Sequence, residues 1–79
     1  MTMQHPRVDV LRSKDGGRYF RIKSTNGSIL CTSETYLRLK WCLNGAARAT
    51  QVPGIAALKA GDQTTVGRGA RKYAVLVER

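Results

Sequence analysis

The stretch RYFRIKSTNGSILCTSETY, residues 18–36, decides the fold. Over residues 18–25, Phe20 and Ile22 alternate with Tyr19, Arg21 and Lys23. That is the period of a strand with one apolar and one polar face. Asn26-Gly27 follows, the strongest short hairpin signal, because a two-residue loop needs positive φ and these residues tolerate it. Residues 28–32 read as the returning strand. The period then lengthens from two to about 3.6. Ser33 is the expected N-cap, and Glu34 puts a negative charge where the helix dipole favours it. Tyr36, Leu39, Leu43, Ala46, Ala47 and Thr50 fall on one face of a helix running to about Gln51, where Pro53 forces a break.

Upstream, residues 7–13 alternate well enough for a strand, and Asp15-Gly16 supplies a turn before residue 18. Residues 1–6 read as a flexible tail. Downstream, 53–60 is expected to be a short helix with Pro53 at its first position and Gly61 just past its end. Residues 61–71 read as a flexible, Gly-rich basic loop, and 72–78 as a last strand. The fold class is therefore α+β: a small antiparallel sheet, a three-strand meander plus the C-terminal strand, packed on one main helix. All 79 residues form one domain with one modest core.

Phe20, Asn26-Gly27, Ile29-Leu30, Ser33-Glu34, Tyr36 and a helical Gly45 resemble the YegP-like domain of unknown function over residues 18–49. The resemblance implies a β-β-β-α unit. Many members carry two such units, so for this single unit it implies a homodimer. It implies no catalytic residues. Leu39 stands where the family usually has Lys, Ala46 where Ile is common and Ala49 where Val is common.

Composition narrows the function. Fourteen Lys and Arg face five Asp and Glu, a net charge of +9. Such a chain attracts polyanions, and the attraction weakens with salt. Catalysis is not expected. Acyl transfer through Ser or Cys needs a nearby base and an orienting group, and the one histidine, His5, sits in the expected tail. The acids are scattered, and Gly67-Arg68-Gly69 is too short for a nucleotide fingerprint. No CxxC pair accompanies Cys31 and Cys42, so neither a metal nor another cofactor is expected. Both thiols read as small buried apolar residues of a cytoplasmic protein. No apolar run of 18–20 residues exists to span a bilayer, so no membrane partner is expected.

The candidate binding residues are cationic. Tyr19, Arg21 and Lys23 share a strand face and resemble a stacking-plus-phosphate platform; the competing reading is a solvated charged face. Arg68, Arg71 and Lys72 form a basic arm that either follows a phosphate backbone or is solvated. Arg38, Lys40 and Arg48 lie on or near the outer helix face, where solvation is the commoner role. Trp41 reads as an edge of the core. The leading function is a non-catalytic module that contacts nucleic acid or a nucleoprotein complex through a basic surface. The alternative is a protein-interaction domain, either homodimeric or a small phage-encoded inhibitor (anti-CRISPR type) of a nucleic-acid-targeting defence complex. A structural subunit without a separate ligand is a third reading.

Overall fold

The alternating runs of β1 (Arg7–Arg12) and β2 (Arg18–Lys23) pair as strands, joined by β3 (Ile29–Thr32), β4 (Gln63–Arg68) and β5 (Arg71–Val77). The computed structural model describes residues 5–79. The strands form one sheet in the order β3-β2-β1-β5-β4. Every pairing is antiparallel except β1 with β5, which is parallel. The expected meander and C-terminal strand are present, and β5 inserts beside β1. One main helix, α1 (Leu39–Thr50), lies across β1 and β2, and a 3₁₀ turn (Pro53–Ala57) follows it. The α+β architecture read from the sequence holds. Of the expected 1–6 tail, residues 1–4 lie outside the described residues, while the Pro6 carbonyl accepts the Ala74 N–H at 2.9 Å.

Register assigns the faces. Val8 lies opposite Ile22 and Val75, and Val10 opposite Phe20 and Val77. These residues point to one side, and α1 covers them with Cys42, Leu43, Ala46 and Ala47. Val8, Val10, Val75 and Val77 are essentially fully buried. Burying each such side chain contributes about 1.5–3 kcal/mol. Thr50, the polar member of the helix stripe, donates its hydroxyl to Ala46 O at 2.8 Å and is satisfied inside the core.

Four local expectations are corrected. First, α1 begins at Leu39 rather than Ser33. Residues 33–36 instead continue along the edge of β2: Ser33 N–H donates to Phe20 O (2.9 Å), and Tyr36 pairs with Arg18 through bonds of 2.6 and 2.7 Å. The Ser33 hydroxyl accepts Phe20 N–H at 2.9 Å, so it serves the sheet and not a helix cap. Tyr36 is thus off the helix. Its ring lies near that of Phe20, centroids 6.4 Å apart. A Cβ on Gly45 would stand 2.5 Å from its hydroxyl. A mid-helix glycine costs about 1 kcal/mol against alanine, and here it makes room for that ring.

Second, the β2–β3 loop has three residues. Ser24 N–H donates to Ser28 O (2.8 Å), and Gly27 alone takes positive φ, at 92°. The extra residue appears as a register shift after Ile22. Third, 61–71 is not a loop: β4 occupies 63–68 and pairs with β5 through a two-residue connection, Gly69-Ala70. Thr64, Thr65 and Val66 are β-branched and fit a pleated surface, and Gly69 has φ 55° at the first loop position. Fourth, Cys31 is exposed while Cys42 is buried. Cys31 lies on β3, the outermost strand. Burial and its apolar surroundings push the Cys42 thiol up to about 11, against a lowering pull from Arg18.

Candidate functional site

The same register builds the other face of the sheet, which carries no helix. Arg7 lies opposite Lys23 and Ala74, Asp9 opposite Arg21 and Leu76, and Leu11 opposite Tyr19. By alternation Lys72 belongs to this face and stands opposite Gly67. Among the five strands Asp9 is the one acid. Four cations therefore share this face with a single carboxylate, and two of them, Arg7 and Lys23, pair with it.

Asp9 is only 6% exposed although it sits on the uncovered side. Lys23 Nζ lies 3.1 Å from one carboxylate oxygen and Arg7 3.3 Å from the other. Both charged heads sit on the carboxylate while the Arg7 and Lys23 side chains keep some access to water. Lys23 is thus partly neutralised by Asp9. Arg21 is not: its guanidinium carbon stands 5.5 Å from the centroid of the Tyr19 ring. Its Nε is buried and donates to no group among the described residues. Beside Arg7, a cleft of about 480 Å³ runs between Ala74 and the 24–27 turn.

The basic residues singled out in the sequence do not form one patch. Tyr19, Arg21, Lys23 and Lys72 share the open face. Arg68 and Arg71 are a cross-strand pair of opposite parity to Lys72. They line a cleft on the helix side with Gln51 and Val52. The supposed arm is a regular hairpin, and alternation divides its charges between the two faces. Arg38, Lys40 and Arg48 are exposed on α1 or its N-cap, across the sheet from Arg21. Arg38 lies 5.9 Å over the Trp41 ring, and Trp41 is 49% exposed, so it does not close the core. Arg7 and Asp9 were missed as members of the site. Their signal was available: they have the parity that puts Leu11 opposite Tyr19.

Among the described residues no group of three or more His, Cys, Asp or Glu gathers where a metal could be held. No helix among them is long and apolar enough to cross a membrane. What the open face can do is present guanidinium and ammonium groups beside an aromatic ring, the combination that meets phosphates and bases.

No curated protein and no solved structure matches the chain. A family model described as a domain of unknown function (DUF1508) matches residues 13–52. The match begins at the β1–β2 turn, takes in β2, β3 and α1, and stops before the β4–β5 hairpin. It covers just over half of the 79 residues, and the chain belongs to the DUF1508 family.

Proposed function

We propose that the protein is a non-catalytic binding module of the cytoplasm that contacts nucleic acid, free or within a nucleoprotein complex, through the open face of its sheet. The observation that carries this reading is that Arg7, Arg21, Lys23 and Lys72 share one sheet face with a single acid, with Tyr19 under the Arg21 guanidinium. The cations meet phosphates, and the ring offers a surface on which an unpaired base stacks. Contacts of this kind position a strand with little base readout, so binding should be tolerant of sequence.

The test is fluorescence anisotropy with a single-stranded 20-mer. About four phosphate contacts give a log–log salt slope near −0.7 per contact, so affinity should fall about 50-fold between 50 and 200 mM salt. A flat response over that range would end the proposal.

A protein-interaction reading, including a homodimer, rests on a different observation. Ile29, Leu30, Leu37 and Trp41 are exposed large apolar residues, and Ile29 and Leu30 lie on an outermost strand. Exposed apolar strand edges are templates for pairing with another chain. Recovery of a discrete protein complex after nuclease treatment, with no binding to the 20-mer, would favour this second reading.

A further inference from the structure

Two arginine pairs sit at the ends of neighbouring hairpins, and they differ in how their charge is met. In each, like charges stand directly opposite across two strands, an arrangement that destabilises a sheet unless an acceptor intervenes. Arg12 and Arg18 close the β1–β2 hairpin. Arg12 donates to Arg79 O at 3.2 Å, and Arg18 donates to Glu78 O, so the C-terminal residues supply acceptors. Arg68 and Arg71 close the β4–β5 hairpin. Among the described residues no side chain or backbone oxygen receives a hydrogen bond or ion pair from either guanidinium.

The second pair borders a cleft of about 430 Å³ between the end of α1 and the hairpin. Its other walls are Val52, Pro53, Gly54 and Val66, with the side of Gln51. No acid lines it. That volume lies within the range of small-molecule sites, which join apolar walls to a few convergent polar groups. Two features keep the cleft in shape. Gly54 allows the 3₁₀ turn to approach β4, since a Cβ there would stand 2.8 Å from a Val66 methyl carbon. Gln51 holds a left-handed backbone, φ 60° and ψ 32°, unusual outside glycine.

We infer that this cleft is a site for a phosphate monoester, with Arg68 and Arg71 gripping the phosphate and the Val52-Pro53-Val66 wall receiving the nucleoside attached to it. Charge selects the ligand. Two facing guanidiniums are neutralised by a dianion, whereas a carboxylate leaves one positive charge unmet. A guanidinium also meets phosphate oxygens through two parallel N–H donors, which a lysine cannot. The ligand can be a free nucleotide or the phosphorylated end of a nucleic-acid strand; both present the same group. The site does not rest on the open-face reading, because it lies on the helix side of the sheet.

The experiment is a titration of the full chain followed by amide chemical shifts, using adenosine 5′-monophosphate, adenosine, and a decamer with either a 5′-phosphate or a 5′-hydroxyl. The monophosphate should perturb Gln51, Gly67 and Arg71, and it should bind at least tenfold more tightly than adenosine. Its affinity should drop severalfold from pH 7.5 to 5.5, because the phosphate loses its second charge near pH 6. Arg68→Gln with Arg71→Gln should abolish the perturbation while the cross-strand β4–β5 signals persist. Arg68→Lys with Arg71→Lys, which keeps charge and fold, should retain only part of the affinity. Binding of the monophosphate and the 5′-phosphorylated decamer alike assigns the site to the phosphate monoester itself. Binding of the phosphorylated decamer alone assigns it to strand ends. Equal binding of adenosine and its monophosphate, unchanged binding by the Gln variant, or no binding of either phosphorylated ligand overturns the inference.

Discussion

The two faces of this sheet are made by the same strands and obey opposite rules. On the covered face, β1 contributes Val8 and Val10, and both are fully buried beneath α1. On the open face, the neighbouring residues of β1 are Arg7 and Asp9, and the latter is buried on a central strand with Arg7 and Lys23 paired to it. A period of two separates them completely, so one residue of slip would exchange a core for a charged surface. Burial, and with it stability, is concentrated on one face, and the proposed nucleic-acid interface lies on the other. Substitutions on one face should therefore leave the property of the other nearly unchanged.

The largest test of that division is Phe20→Ala. Phe20 is 4% exposed, pairs with Val10 and stands beside the Tyr36 ring. Truncating a buried phenylalanine costs about 3–5 kcal/mol, much of the stability a domain of this size has. Chemical denaturation should show the midpoint collapse. If the loss were under 1 kcal/mol, the covered face would not be the seat of stability.

On the open face, Arg21→Gln with Lys23→Gln should do the reverse. The denaturation midpoint should move far less than in Phe20→Ala: Lys23→Gln leaves Asp9 with Arg7 as its remaining ion-pair partner, at an expected cost of about 1 kcal/mol. Affinity for the 20-mer should fall about tenfold, with the salt slope shallower by about 1.4 for two lost phosphate contacts. Unchanged affinity would remove the face from the proposed function.

How much of this was legible depends on which face and which strand is considered. Phe20, Ile22, Leu43, Ala46 and Ala47 were readable as core because local alternation and the helical period agree with the tertiary packing. The start of α1 was not. Ser33-Glu34 is a sound capping pair, but the free edge of β2 offered Ser33 and Tyr36 backbone partners, and long-range pairing won. The β4 strand was hidden because Gln63, Thr64 and Thr65 are polar and both glycines near the loop read as flexibility. Its partner follows after two residues, but no local apolar stripe announces the strand. The site was half legible. Parity found Tyr19, Arg21 and Lys23 together, but placing Arg7 and Asp9 beside them required the β1–β2 register, and separating Lys72 from Arg68 and Arg71 required knowing that the arm is a hairpin.

The two cysteines sharpen the comparison at smaller scale. Cys42 lies in the core with its thiol pushed up to about 11, and Cys31 is exposed on β3. At pH 8 a thiol reagent should modify Cys31 rapidly and Cys42 only as fast as the protein opens. The sign of the linkage follows from the raised value. Between the ordinary thiol value of 9.0 and about 11, the unfolded chain loses the Cys42 proton and the native state keeps it. Stability contributed by this group is therefore full below pH 9 and declines as pH rises toward 11. In a Cys31→Ser background, Cys42→Ala should remove that part of the alkaline slope; an identical slope in both proteins would contradict the assignment.

The smallest effect is the most discriminating, because Asp9 belongs to the open face by register and to the buried class by exposure. Asp9→Asn keeps the shape and removes the charge. Were Asp9 part of the structural core, losing one member of a buried ion pair would cost about 3–5 kcal/mol. Its partners, however, retain solvent access: the Arg7 side chain is 48% exposed and that of Lys23 is 28% exposed. They can rehydrate, so the expected cost is about 1 kcal/mol or less. Two cations are then released toward the ligand. Affinity for the 20-mer should rise about two- to fivefold at a salt slope still set by the same four contacts, because Arg7 and Lys23 then meet phosphates without a competing carboxylate. A loss of affinity in a folded Asp9→Asn protein would mean that the carboxylate orders Arg7 and Lys23 for binding instead of competing with it. An unchanged affinity would mean that those two cations do not meet the nucleic acid at all, and the interface would contract to Tyr19, Arg21 and Lys72.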